Sequence, residues 1–154
     1  MKRALFPGSF DPITKGHQDI VERGLGLFDE IVVGIGYNTS KPGFYSIEKK
    51  LEMVQSVFKG NDKIKVKKFN GLTVDFCKEV EAQFILRGVR TNLDYEYENA
   101  IAKMNEKMMP GLETIIYLSR SKYSFVSSSI VREIIKHKGD VSQFVPNQVV
   151  ALIR

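Results

Sequence analysis

Arg3-Ala4-Leu5-Phe6-Pro7-Gly8-Ser9-Phe10-Asp11-Pro12-Ile13-Thr14-Lys15-Gly16-His17 is the stretch from which the fold can be read. Arg3 to Phe6 is a short aliphatic run of strand length, and Pro7-Gly8 ends it. From Asp19 to Phe28, the apolar residues Ile20, Val21, Leu25 and Phe28 recur at near-helical spacing. The loop between them holds prolines, glycines and hydroxyls, so it is stiff and rich in unpaired amides. A strand passing through such a loop into a helix start is half of a βαβ unit. Its helix N-terminus favours phosphate through free N–H groups and the helix dipole.

Further along the chain the same alternation continues. Glu30 to Ile35 reads as a strand buried on both faces. Ser46 opens a helix with Leu51, Val54 and Phe58 as its apolar stripe. Lys63 to Lys68 alternates lysine with Ile64 and Val66, the pattern of a half-exposed or edge strand. Thr73 to Val80 is a short helix and Phe84-Ile85-Leu86 a strand. Asp94 to Met108 is a helix with Tyr97, Ile101, Met104 and Met108 on one side, stopped by Pro110-Gly111. Thr114 to Leu118 is a strand, Ser128 to Lys138 a helix capped by Gly139, and a last amphipathic piece follows Pro146. Five strands alternating with helices predict an α/β fold, a five-stranded parallel sheet flanked by helices. With 154 residues, no repeat and no linker, residues 1–154 are expected to form a single domain.

Composition narrows the function. One cysteine excludes a disulfide-stapled secreted scaffold. No apolar run approaches the ~20 residues that span a bilayer, and no signal peptide is read at the N-terminus, so a soluble cytoplasmic protein with no membrane partner is expected. The formal charge of +5 favours anionic partners, either nucleic acid or phosphorylated small molecules. The arginines cluster in strand-end loops and the lysines are scattered, which argues against a nucleic-acid stripe. Cys77 reads as a buried small hydrophobe, His137 as a complement to a helix C-terminus, and Glu96 as solvated. Met104, Met108 and Met109 read as core or subunit interface.

In open parallel sheets, ligands bind beyond the carboxyl ends of the strands. Neither a P-loop nor a G-x-G-x-x-G follows the first strand, and Gly34-Ile35-Gly36 reads as close packing at a strand end. Arg87-Gly88-Val89-Arg90 puts two guanidinium groups where a strand ends, which suits phosphate oxygens. Ser127-Ser128-Ser129 stands at a helix start, where one cap needs only one hydroxyl. It therefore reads as a second phosphate-gripping N-terminus.

These loops carry a resemblance. Thr14-Lys15-Gly16-His17 is similar to the [HT]-x-G-H signature of the nucleotidyltransferase superfamily, and Val126-Ser127-Ser128-Ser129-Ile130-Val131-Arg132 to its I-S-S-[ST]-x-x-[RK] signature. With Pro7-Gly8-Ser9-Phe10-Asp11-Pro12, Arg87-Gly88-Val89-Arg90 and Asp94-Tyr95-Glu96-Tyr97-Glu98, the chain resembles the bacterial phosphopantetheine adenylyltransferase family nearly end to end. The departures, Ser9 and Val126, are conservative.

The resemblance implies a Rossmann-like nucleotidyltransferase fold and the joining of ATP to 4′-phosphopantetheine, giving dephospho-coenzyme A and pyrophosphate. It also implies a catalytic set of His17, Lys41 and Arg90. ATP would meet Ser9, Phe10, His17, Gly88, Val89, Arg90 and Glu98, together with Tyr123, Ser124, Phe125, Val126, Ser127, Ser128 and Ser129. Phosphopantetheine would meet Ser9, Lys41, Leu72, Thr73 and Arg87. Mg²⁺ would be held mainly by ATP and water, with no protein metal site. Coenzyme A would act as feedback ligand, and the subunits would form a homohexamer.

Overall fold

Alternation along the first strand sets up two cores. The computed structural model describes residues 1–153; Arg154, the last residue of the expected 1–154 domain, lies outside them. In β1 (Arg3–Gly8), Ala4 and Phe6 face one layer and Leu5 the other. β2 (Glu30–Gly36) repeats this with Ile31, Val33 and Ile35 against Val32. β4 (Phe84–Val89) does so with Leu86 against Ile85. Strands buried on both faces are what a parallel sheet with helices on each side requires. β3 (Ile64–Phe69) and β5 (Glu113–Leu118) complete the sheet.

The strand order is β3-β2-β1-β4-β5, and every pairing is parallel. β3 is an edge strand, as its lysine alternation predicts. α1 (Lys15–Gly24) and α2 (Ile47–Phe58) pack on one face, along with α5 (Ser128–Lys136) and α6 (Asn147–Val150). α3 (Thr73–Glu79) covers the other, and α4 (Asn92–Met108) follows β4. The chain runs outward from β1 to β3 and returns to β4, so the strand order reverses between β1 and β4. That reversal leaves a crevice at the carboxyl ends of these two strands.

Glycines let the layers approach. A Cβ on Gly34 would stand 2.8 Å from Leu5 Cδ1 and 3.0 Å from Phe76, in agreement with close packing at that strand end. A Cβ on Gly88 would stand 2.9 Å from Ile20 Cγ1, so α1 lies directly on β4. Cys77 is buried, and burial pushes its thiol up to about 11.

Three elements differ from expectation. α1 begins at Lys15 rather than Asp19 and ends at Gly24. The left-handed residue ending α5 is Lys138 (φ 58), not Gly139. Gly139 N–H bonds the Ile134 carbonyl and Lys138 N–H the Ile135 carbonyl, both at 2.9 Å, which is a Schellman closure. Gly139 serves it by clearing space, since a Cβ there would meet Ile134 Cγ2 at 2.6 Å. On α4, Met104 and Met108 are not core: they are 66% and 46% exposed, and the buried residues are Glu98 and Asn105. Only Met109 of the trio packs against a core.

Candidate active site

Loops after β1, β4 and β5 meet over the crevice and enclose a cavity of about 500 Å³. The first loop is braced by Phe10, which sits in the left-handed region (φ 46) and is 2% exposed. Such a backbone costs about 1–3 kcal/mol and persists only where packing fixes it. Here the ring lies 5.5 Å from Phe6 and 5.1 Å from His17, edge-on to both.

Thr14 is the N-cap of α1, and His17 completes the box. Thr14 Oγ1 accepts His17 N–H at 3.3 Å, while His17 Nδ1 accepts Thr14 N–H at 3.0 Å. A capping box normally carries Glu or Gln at this third position; histidine there aims an imidazole instead. Because Nδ1 accepts, the ring proton belongs on Nε2. Burial, with the charges of Arg87 and Arg90, lowers the imidazole pKa to about 4. At neutral pH, His17 is an uncharged ring with one donor left for a ligand in the cavity.

The carboxyl end of β4 and the loop after it supply the cations. Arg87 Nε and Nη2 hold Glu98 at 2.9 and 2.7 Å, and Nη1 bonds the Pro7 carbonyl. Three of the five guanidinium donors are thus committed and two remain. Arg90 binds Asp94 through its amide at 3.0 Å and Nε at 3.2 Å, and reaches the Val126 carbonyl at 3.2 Å. Burial alone would raise the Asp94 pKa, but the bonds and charge of Arg90 hold it below the usual carboxylate range.

The three serines have separate jobs. Ser127 caps α5 by accepting Ile130 N–H at 3.2 Å. Ser128 Oγ donates to the Pro12 carbonyl at 2.8 Å, and Ser129 Oγ accepts Arg132 Nη2 at 3.2 Å. Ser127 and Ser129 act as acceptors, so their own O–H donors remain for an anion. Arg132 was not among the expected site residues, although it ends the serine motif. It lines the cavity and has no carboxylate partner among the described residues. Asp94 and Tyr97 also line it. Both belong to the Asp94-Tyr95-Glu96-Tyr97-Glu98 motif, and Tyr97 also reads as part of an apolar helix face.

Ser9, Phe10, His17, Gly88, Arg90, Glu98, Tyr123, Val126, Ser127, Ser128 and Ser129 thus share one cavity, as does Arg87. Lys41 does not line it. Lys41 lies in a neighbouring cavity of about 850 Å³ with Thr73, and Ser9 lines both. Thr73 also faces a cleft of about 320 Å³ walled by Arg87, Glu98 and Asn105. Val89 is buried, while Leu72 and Phe125 are 57% and 63% exposed. Leu72, Val89, Ser124 and Phe125 are on none of these walls.

A model of the family described as cytidylyltransferase-like matches residues 5–134. The chain is 49% identical over 146 residues to a phosphopantetheine adenylyltransferase of Bacteroides thetaiotaomicron, covering 95% of this chain and 96% of that one. It is 46% identical over 149 residues to one of Flavobacterium johnsoniae, covering 97% of each chain. One from Leptospira biflexa is 48% identical over 95% of this chain and 91% of its own. Among solved structures, a Vibrio parahaemolyticus protein assigned as a nicotinate-nucleotide adenylyltransferase superposes with a TM-score of 0.73 over 99% of both chains. At 16% identity that likeness shows the fold alone.

Proposed function

The chain belongs to the phosphopantetheine adenylyltransferases, within the cytidylyltransferase-like family, and from that premise we propose that it transfers the adenylyl group of ATP to 4′-phosphopantetheine. A phosphate oxygen of the acceptor attacks the α-phosphorus in line. The new P–O bond forms as the bond to the β-phosphate oxygen breaks, and pyrophosphate leaves with that electron pair. The nucleophile is already anionic, so no covalent enzyme intermediate and no general base are needed. The protein's task is positioning and stabilisation of growing charge.

The observation that supports this most is the neutral imidazole of His17, its Nδ1 occupied by Thr14 and its Nε2 proton available beside Arg90 and the serine helix start. His17 donates to a non-bridging oxygen of the α-phosphate, flanked by Ser9 and the Phe10 amide. Arg90 with the Ser127 and Ser129 hydroxyls and the backbone amide of Ser128 receives the leaving phosphates, and Gly88, Val89, Glu98 and the segment from Tyr123 to Val126 border the nucleotide. Lys41, Ser9, Leu72, Thr73 and the two remaining donors of Arg87 serve the acceptor.

Asp94 and Glu98, the carboxylates of the cavity wall, are both bound to arginines. No group of three His, Cys, Asp or Glu residues able to hold a cation occurs among the described residues. This donor set fits Mg²⁺ carried by ATP phosphates and water, where it would neutralise the triphosphate. No helix among the described residues is long and apolar enough to cross a membrane. A cytoplasmic homohexamer under feedback from coenzyme A belongs to the same reading.

Pyrophosphate release tests it. With ATP and Mg²⁺, turnover is expected with 4′-phosphopantetheine and not with nicotinate mononucleotide; the reverse preference overturns the assignment.

A further inference from the structure

The motif Pro7-Gly8-Ser9-Phe10-Asp11-Pro12 contains one ionisable residue that the reaction above does not use. Asp11 is 7% exposed. Its Oδ2 accepts Phe44 N–H at 2.7 Å and its Oδ1 accepts Tyr45 N–H at 2.9 Å. Both amides belong to the loop after β2, which carries Lys41. At the ends of that loop Tyr37 N–H bonds the Phe69 carbonyl at 3.0 Å and Ser46 caps α2, while between Asn38 and Tyr45 the other hydrogen bonds are internal: Ser40 binds the Asn38 side chain, and Lys41 N–H bonds the Asn38 carbonyl at 3.3 Å. Among the described residues, every hydrogen bond from the segment 38–45 to the rest of the molecule ends on this one carboxylate.

A second observation points the same way. A Cβ on Gly43 would stand 2.8 Å from Asp11 Oδ2 and 3.3 Å from the Tyr45 carbonyl. Glycine at 43 is what lets the loop close on the carboxylate. The nucleotide side has other fixings. His17 is held by Thr14, and Arg90 by Asp94 and the Val126 carbonyl. Arg132 is held by the Asp11 backbone carbonyl, which a side-chain substitution leaves in place.

We propose that Asp11 is a positioning residue for the acceptor half of the reaction: its carboxylate ties the loop after β2 to the loop after β1, and so sets Lys41 against Ser9. This rests on the reading of Lys41 and Ser9 as contacts of the acceptor phosphate. Loosening the tether makes the acceptor order the loop when it binds, which weakens that substrate and spares ATP.

Asp11→Asn tests the tether. An amide keeps one acceptor oxygen and turns an N–H₂ donor toward the second backbone amide. Hydrogen exchange at Phe44 and Tyr45 is expected to accelerate at least tenfold with no ligand present. KM for phosphopantetheine should rise roughly tenfold or more, the scale for losing a charge-assisted bond, while KM for ATP stays within about twofold. Gly43→Ala, which displaces the loop without altering Asp11, should give the same signature, and it decides the matter alone if Asp11→Asn does not fold. Unchanged exchange at Phe44 and Tyr45, or both KM values rising together, overturns the proposal. Wild-type protein inactive with phosphopantetheine would overturn the functional reading instead, and the exchange measurement would still judge the tether.

Discussion

At the scale of single residues, His17 and Arg87 differ in what their removal does. His17 is held neutral, so His17→Ala removes one preorganised donor and little charge. We expect kcat to fall about 10²–10³-fold with much smaller changes in substrate affinity; near-wild-type kcat would refute the role. Its titration also marks stability. The folded pKa is about 4 against 6.5 when unfolded, so the unfolded chain binds the extra proton between these values. Stability from this group is complete above about pH 6.5 and is lost as pH falls toward 4, by up to about 3 kcal/mol at about 1.4 kcal/mol per pH unit. Urea titrations across that window should show the slope, and His17→Asn should flatten it. Arg87 has a structural duty as well, because Glu98 is only 6% exposed. Arg87→Ala leaves that carboxylate unpaired and should destabilise by on the order of 3 kcal/mol. Adding Glu98→Gln should recover most of the melting temperature but not the affinity for phosphopantetheine. Unchanged affinity in the double variant, by calorimetry, would remove Arg87 from the acceptor site.

At the scale of elements, α1 shows what competes with helix propensity. Gly24→Ala in an exposed helix would stabilise by about 1 kcal/mol. Here the new methyl would stand 2.7 Å from Leu86 Cδ2 and 2.8 Å from Ile31 Cδ1, both fully buried. Overpacking of about 1–3 kcal/mol should win, and a lower urea midpoint than wild type would show it. The same helix shows where the sequence was legible. Its apolar spacing was plain from Ile20 onward and a helix N-terminus was legible at the end of the Pro7–His17 loop, but the capping box was not, because it uses His17 in place of a carboxylate or amide. The strands were legible because a doubly covered sheet demands continuous aliphatic runs, and β3 because an edge does not. The site loops were legible as phosphate-binding surfaces from their glycines, arginines and serines. What no local pattern showed was the division of labour among Ser127, Ser128 and Ser129, or that Lys41 and His17 open onto different cavities. Those facts depend on loops distant in sequence. On α4 the apolar pattern alone left core and subunit interface open for Met104 and Met108: an exposed apolar stripe looks like a buried face, while the inward face carries Glu98, paired with Arg87.

At the scale of the whole molecule, that stripe bears on assembly. Leu93, Tyr97, Met104 and Met108 fall within about 60° of one another at 100° per residue, and each is at least 46% exposed. An apolar stripe of this kind on a monomer signals association. Leu93 and Tyr97 also line the His17 cavity, and Ile101 and Asn105 the cleft beside it. The face expected to meet a neighbour is therefore the outer wall of the site. Assembly would limit the motion of α4, and with it the Glu98 carboxylate that orients Arg87. Light scattering should give a mass near six chains for the wild type. Met104→Glu, which touches none of the cavities described, should give smaller species with weaker acceptor binding. A monomeric wild type, or a Met104→Glu variant that keeps its full mass, would show that this face stays in solvent and that α4 is held by its contacts with β4 and β5 alone.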